Sequence, residues 1–335
     1  SEFDVARHKF TGSLPCSFSF WNNIHQLKDI HFISILCRAF TNNIRCINDV
    51  VIKGAIVMII DEHIHLGGLF KDTDYFLKCL DDAGIDMVLA APYMFEDKNI
   101  PKVLKMKGIP PALAGTKPVL DLVSMVMKNK RFARRYIKKL PNDYVAEMTR
   151  KYPDRIYGVY WMNPNEEELS NVEEYLKDNH FVAIKLHQIL YPCDLTGKNQ
   201  AIFDLAVDYD VPLFIHVSNC DEIRTIMKYM EKKPNFRVIL AHMAFYEETA
   251  EEICDFSNIY LDVSPLYSNR DEKIINAIER IGADRIIFGT DAPCPGMQKY
   301  AVHRIKNLNI SEEEKEKILS KNIFQLIHHR VCLKN

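Results

Sequence analysis

Two histidines one residue apart, His63 and His65, follow the apolar run 57–60 and precede the glycine pair Gly67-Gly68. Alternate side chains of a β-strand share a face, so both imidazoles would point to the same side of a sheet. Paired imidazoles are good ligands for a borderline divalent metal such as zinc. The pair therefore predicts a metal site, although two polar residues that end a strand and face solvent would give the same pattern.

Polar residues also end several later apolar runs. Lys185 and His187 are again two residues apart, His216 and His242 each close a run, and Asp291 follows the run 286–290. In a parallel α/β fold the carboxyl ends of the strands meet at one edge, so these side chains would converge there. A histidine at one strand end is usually structural, but convergence of several histidines with an aspartate specifically indicates a metal centre.

The elements that must position these residues follow from the spacing of apolar side chains. Stretches with apolar residues at steps of three and four are predicted helices, and they alternate with short apolar runs. One such helix is 72–84, with Asp72 as its N-cap and Gly84 as its stop. This alternation predicts a (β/α)8 TIM barrel of parallel strands. The main alternative is an open doubly wound sheet, which usually carries a G-x-G-x-x-G turn that Gly67-Gly68 does not match. The predicted strands are 57–65, 86–92, 155–163, 181–187, 211–218, 236–243, 259–264 and 285–290, and the predicted final helix is 311–327.

Two segments stand outside this alternation. Residues 1–57 are predicted to be an N-terminal extension of unknown role, in which Ser1-Glu2-Phe3 could be a cloning remnant. Residues 58–335 are predicted to form the barrel. Within them, residues 93–140 form a long insertion after the second strand, and insertions of that length often carry function.

Length and composition limit the class of protein. A chain of 335 residues with 47% apolar content suits one large α/β barrel. A net charge of −2 does not favour binding to nucleic acid or to an anionic membrane surface, and no apolar run is long enough to span a bilayer. The nine cysteines form no CxxC pair. They are typical of reduced thiols in a cytoplasmic protein.

The motifs resemble the amidohydrolase superfamily, specifically the amidohydrolase-2 branch of aminocarboxymuconate-semialdehyde decarboxylase-like metal-dependent hydrolases. The resemblance extends from Met58 to about Ile327. It implies a small-molecule substrate, and a homodimer is possible because barrels of this branch are often dimers. It also implies one divalent metal ion, with zinc expected and manganese as the other option, held by His63, His65, His216 and Asp291. The resemblance rests on Asp61-Glu62-His63-Ile64-His65, Lys185-Leu186-His187, His216, His242 and Gly289-Thr290-Asp291.

The resemblance also implies roles for the remaining polar residues. Asp291 would both bind the metal and accept a proton from water, and His242 would position or polarise the substrate. Lys185 would hold a substrate carboxylate. Its alternatives are a salt bridge in the barrel mouth and, as in two-metal relatives, a carboxylated lysine that bridges two ions. His187 would contact substrate or orient a neighbour, and Trp161 would line the pocket.

Other polar residues have weaker claims to the site. Asp262 and Ser264, late in the seventh predicted strand, would either support the site or have a purely structural role. Arg134 and Arg135 in the insertion would meet an anionic substrate or form a solvated helix face.

These observations predict a metal-dependent hydrolase of a small amide, lactone or related carbonyl compound that uses metal-activated water. The first alternative is a metal-dependent non-oxidative decarboxylase of an unsaturated or aromatic carboxylic acid, because the same branch performs both reactions with the same ligands. The second alternative is a barrel that binds a ligand without catalysis.

Overall fold

Eight parallel β-strands form one sheet in chain order in a computed structural model that describes residues 58–93, 140–178, 180–266, 268–293 and 298–331. Each strand is followed by helical structure, which confirms the predicted (β/α)8 barrel. The extension 1–57 and most of the insertion, including Arg134 and Arg135, lie outside the described residues. The strands are β1 Ile60–Leu66, β2 Met87–Pro92, β3 Ile156–Trp161, β4 Phe181–His187, β5 Leu213–His216, β6 Val238–Leu240, β7 Ile259–Asp262 and β8 Ile286–Ile287.

The barrel closes between β8 and β1 through the segment that follows β8. Backbone N–H groups of Glu62 and His65 donate to the carbonyl oxygens of Phe288 and Ala292, at 3.1 and 2.7 Å. In return, the backbone N–H of Asp291 donates to the carbonyl oxygen of His63 at 2.7 Å. Closure of the sheet therefore places Asp291 beside the two histidines of β1.

The helices begin and end largely where local signals predicted. Asp72 caps the first helix by accepting a hydrogen bond from the Tyr75 backbone, and Gly84 ends it with φ of 70°. Ser311 and Glu314 form a complete capping box at α9. The predicted final helix is interrupted by the π-helical turn Lys317–Lys321. The helices are α1 Thr73–Ala83, α2 Asn142–Lys151, α3 Leu169–Lys177, α4 Gln200–Asp208, α5 Cys220–Met230, α6 Tyr246–Cys254, α7 Asp271–Ile281, α8 Gln298–Lys306, α9 Glu312–Glu316 and α10 Asn322–Val331.

An irregularity in β1 decides which of its residues face the barrel interior. The register of β1 against β2 shifts between Asp61 and Ile64. Ile60 belongs to the interior apolar cluster, whereas Ile64 packs in the cluster between sheet and helices. Strict alternation from Ile60 would have turned His63 outward, so the shift is what brings the histidine pair inside.

Apolar side chains fill the rest of the barrel. The interior cluster combines strand residues such as Leu89 and Phe214 with Ile323 and Leu326 of α10, and all four are buried. The polar side chains at the strand ends are therefore the main break in an otherwise apolar interior. Among the described helices, none combines the length and the apolar character that crossing a bilayer requires.

Candidate functional site

Side chains from most of the strands converge at their carboxyl ends, as the sequence predicted. The convergent group is largely buried, and three of its members, His216, His242 and Asp291, remain partly exposed. Those three therefore face the opening of the site, and the others lie beneath them. The buried members are His63, His65, Trp161, Lys185, His187 and Asp262.

His63, His65 and Asp291 form a compact group of potential metal ligands, with their ligand atoms within 4.8 Å of one another. Asp291 Oδ1 lies 3.4 Å from His63 Nε2 and 3.2 Å from His65 Nε2. Ligand atoms placed about 2.1 Å from a tetrahedral ion would be separated by about 3.4 Å. The spacing of these atoms therefore fits a divalent metal.

Hydrogen bonds at Nδ1 of both rings leave a lone pair on each Nε2 atom, which is the form that binds a metal. His65 Nδ1 lies 2.9 Å from the carbonyl oxygen of Pro92, and His63 Nδ1 lies 3.0 Å from Asp262 Oδ2. Both oxygens can only accept a hydrogen bond from the ring, so the proton sits on Nδ1 and the lone pair on Nε2.

Charge in the group also suits a cation. Burial lowers the pKa of His63 and of His65, and the positive charge of Lys185 lowers both further, so both rings are neutral. Burial by itself would raise the pKa of Asp291, but the neighbouring His63 and His65 bring it below its usual value. Neutral imidazoles and an ionised carboxylate are the forms that bind metal.

His216 does not join this compact group. Among the described residues, the groups of three whose ligand atoms all lie within 4.8 Å of one another are His63, His65 and Asp291, and His63, His242 and Asp262. The ring of His216 instead stacks on the ring of His187, with ring centres 4.1 Å apart, and meets the ring of His242 edge to face, with centres 4.7 Å apart. Its role as a ligand stays a prediction from the resemblance.

The second of these groups is a hydrogen-bond network. Asp262 Oδ2 accepts from His63 Nδ1 at 3.0 Å and from the backbone N–H of His242 at 3.1 Å. His242 Nδ1 donates to the carbonyl oxygen of Ser264 at 3.1 Å. The ring nitrogens that face Asp262 and Ser264 already carry protons in these bonds, so this group supports the site and does not offer a second metal position.

Lys185 lies inside the cluster and not at its rim. Its Nζ is 2.6 Å from His63 Nε2 and 3.4 Å from His65 Nε2, and it lies 4.5 Å from the ring centre of Phe214. Burial lowers the pKa of Lys185 to about 8, against the opposing influence of Asp291. The ammonium donates to the same lone pair that a metal would use, so a metal at His63 requires this side chain to move.

An aromatic wall flanks the ligand group. The ring centre of Trp161 lies 5.7 Å from that of His187, on which it stacks, and 5.4 Å from that of His65. His187 in turn stacks on His216. Trp161 and His187 were both predicted near the substrate, and the structure places them side by side. These rings form a buried aromatic layer beside the ligand group, and His216 at its outer end is partly exposed.

Two acidic residues of the opening motif had no role assigned from the sequence. Asp61 accepts hydrogen bonds from the backbone N–H and hydroxyl of Thr290, at 3.0 and 2.6 Å, and so ties β1 to the residue before Asp291. Burial raises the pKa of Asp61 to about 7 and raises that of Glu62 well above its usual value. Two acidic residues inside an apolar strand were the signal that could have singled them out.

Comparisons with known proteins identify relatives of this chain. The amidohydrolase family model matches residues 60–326. Gamma-resorcylate decarboxylase from Polaromonas sp. (strain JS666 / ATCC BAA-500) is 24% identical over 249 residues, which cover 55% of this chain and 75% of that protein.

Two solved structures share the fold. The 2,6-dihydroxybenzoate decarboxylase from Rhizobium is 19% identical with a TM-score of 0.58, covering 81% of this chain and 99% of its own. The second is a dihydroxybenzoic acid decarboxylase from Polaromonas sp. JS666 with bound manganese and the inhibitor 2-nitroresorcinol. It is 20% identical with a TM-score of 0.54, and the match covers 81% of this chain and 97% of that chain.

Proposed function

Because the chain belongs to the amidohydrolase family, we propose that it is a metal-dependent, non-oxidative decarboxylase of an aromatic or unsaturated carboxylic acid. The named relatives are decarboxylases, which supports the alternative reading of the sequence better than hydrolysis. Hydrolysis has the support of the superfamily alone. The observation that carries the proposal is the placement of a buried lysine and a flat aromatic wall beside the candidate metal ligands.

That placement suits a planar anion. Lys185 Nζ lies 5.1 Å from the ring centre of Trp161, so a single ligand can contact both side chains. An aromatic carboxylate would pack against the partly exposed ring of His216 at the outer end of this wall, and its carboxylate would accept a charge-assisted hydrogen bond from Lys185. A neutral amide or lactone would offer the buried ammonium no additional anionic partner, so the lysine favours a carboxylate substrate.

We assign one divalent ion to His63, His65 and Asp291, with His216 as the remaining ligand. Zinc was the first choice from the sequence, and manganese is the metal in a similar solved structure, so both ions belong in the assay. When bound, the metal would polarise oxygen atoms of the substrate and stabilise the negative charge that builds up as carbon dioxide leaves.

His242 is our candidate for the proton donor. Its Nδ1 is engaged with Ser264, and the partly exposed side chain leaves Nε2 available to the site. In its protonated form it would transfer the Nε2 proton to the ring carbon that loses the carboxylate. The carbon–carbon bond then breaks to carbon dioxide, a carbon–hydrogen bond forms, and His242 becomes neutral while it keeps its Nδ1 proton.

The test is an assay of metal-loaded protein against dihydroxybenzoates, 5-carboxyvanillate and a panel of lactones, with detection of carbon dioxide. Release of carbon dioxide from an aromatic acid should require Mn²⁺ or Zn²⁺. It should be lost in Asp291→Asn but kept in the matched exposed control Asp154→Asn. Lactone hydrolysis without carbon dioxide release would replace this proposal with the hydrolase. Tight binding of an aromatic acid without turnover would favour a ligand-binding barrel.

A further inference from the structure

We propose that Asp262, at the end of β7, is a positioning residue shared by His63 and His242, so that one buried carboxylate orients both the metal site and the proton donor. The inference rests on the proposed function for the role of His242. It goes beyond that function because it assigns a physical link between metal binding and proton transfer.

Four donors surround the carboxylate of Asp262. The side chain is 0% exposed. Oδ2 accepts from His63 Nδ1 at 3.0 Å, from the backbone N–H of His242 at 3.1 Å and from the Ser264 hydroxyl at 2.6 Å. Oδ1 accepts from the backbone N–H of Ser264 at 2.7 Å. Because both oxygens are engaged and most of the donors lie on Oδ2, these contacts hold the carboxylate in one orientation.

The bond to His63 determines where that ring points. Because Nδ1 donates to Asp262, the Nε2 lone pair is directed toward Asp291 Oδ1, 3.4 Å away. Outer partners of this kind fix the tautomer and the ring orientation of a metal-binding histidine. Ser264 Oγ also lies 3.0 Å from His63 Nδ1, and its own hydroxyl donates to Asp262 at 2.6 Å. Loss of the carboxylate would therefore remove one acceptor from the ring and loosen the other.

The bond to His242 acts on the backbone. His242 has φ of 62° and ψ of 21°, and Met243 and Phe245 also have positive φ values of 49° and 55°. Such conformations are unfavourable for residues other than glycine and persist only where surrounding contacts hold them. The Asp262 carboxylate supplies one such contact, and its neighbour Ser264 binds the ring through the carbonyl oxygen. The rings of His63 and His242 consequently stack, with centres 5.1 Å apart.

Gly289 leaves the space that this arrangement needs. A Cβ at residue 289 would lie 2.7 Å from Asp262 Oδ1 and 2.8 Å from His63 Cβ. His63 Cβ is fixed by the backbone, and the Asp262 carboxylate is held by its four donors, so neither atom can move away easily. A Gly289→Ala substitution should therefore displace both the carboxylate and His63, so a glycine at residue 289 is what lets the two side chains lie together.

The experiment compares Mn²⁺ affinity, measured by titration calorimetry on metal-free full-length protein, with carbon dioxide release at saturating Mn²⁺. In Asp262→Asn, one oxygen becomes an NH₂ group that faces a donor. Mn²⁺ affinity should fall by about 10- to 100-fold, and turnover should fall as well. His242→Asn should lose turnover but keep Mn²⁺ affinity. The Co²⁺-loaded protein should show an altered visible spectrum in Asp262→Asn and an unaltered one in the exposed control Asp154→Asn.

A merely structural role would lower the melting temperature of Asp262→Asn while Mn²⁺ affinity and the Co²⁺ spectrum stayed as in the wild type, and that result would overturn the inference. If Asp262→Asn does not fold, Asp262→Glu, which keeps the carboxylate but shifts it by one methylene group, decides the question with the same readouts. A wild type that binds Mn²⁺ but releases no carbon dioxide from any acid refutes the decarboxylase alone, because the affinity measurements need no substrate. A wild type that binds neither Mn²⁺ nor Co²⁺ overturns the inference.

Discussion

Replacement of Lys185 by methionine should tighten metal binding and weaken catalysis at the same time. The lysine ammonium lies 2.6 Å from His63 Nε2, so a metal must displace this hydrogen bond before it can use the same lone pair. Methionine has a similar length and no charge, and it can pack over the rings of Phe214 and Trp161 that Lys185 now covers. The substitution therefore removes the competitor and keeps the packing.

The size of the effect follows from the hydrogen bond that is removed. A hydrogen bond to a charged group contributes about 1.5–3 kcal/mol net. Lys185 is 2% exposed, so solvent screening does little to reduce this figure. Since about 1.4 kcal/mol corresponds to a factor of ten, Mn²⁺ affinity should rise by about 10- to 100-fold. Turnover should fall, because the substrate carboxylate loses its charge-assisted donor.

Titration calorimetry with Mn²⁺ on metal-free wild type and Lys185→Met gives both the affinity and the number of ions per chain. Lys228→Met is the matched control, since Lys228 is exposed on α5 and distant in sequence from the site. Weaker binding in Lys185→Met, or a fall from two ions per chain to one, would refute the reasoning. Either result would show that the lysine is itself a ligand, as in the carboxylated two-metal arrangement.

Three further outcomes are expected. Removal of metal by a chelator should lower the melting temperature, and Mn²⁺ at about 100 times its dissociation constant should restore about 2.7 kcal/mol; an unchanged melting temperature would contradict a bound metal. Gly158→Ala should destabilise the fold by about 1–3 kcal/mol in urea denaturation, because the new Cβ would lie 2.6 Å from a ring carbon of Phe181; an unchanged midpoint would show that the ring can move. Ser311→Ala should cost about 1 kcal/mol in the same measurement through loss of the capping box, and no loss would mean that α9 does not depend on its cap.

Local patterns predicted the parts of the fold that depend on near neighbours in the chain. The predicted limits of β4, 181–187, match the structure residue for residue. The cap at Asp72 and the stop at Gly84 are also as predicted. Helix periodicity and capping depend on residues three or four positions apart, so a single sequence contains the information.

Predictions were weaker where the fold departs from regular geometry. The sixth strand was predicted to reach Met243, but β6 ends at Leu240 because His242 and Met243 adopt left-handed conformations. The eighth was predicted as 285–290, but only Ile286–Ile287 pair as a strand. Helix α8 was not predicted, although Ala301, Val302 and Ile305 lie at helical spacing and are buried. Contacts across the barrel impose these local shapes.

The sequence by itself determined which residue types end each strand, and with them the family and the chemistry that they could perform. Only the tertiary structure decided which of those residues meet. The shift in β1 turned His63 inward, closure of the barrel brought Asp291 to it, and Asp262 bonds to His63 across 199 positions of sequence. Periodicity reports on neighbours within a few residues, whereas these pairings exist only once eight strands close into one barrel.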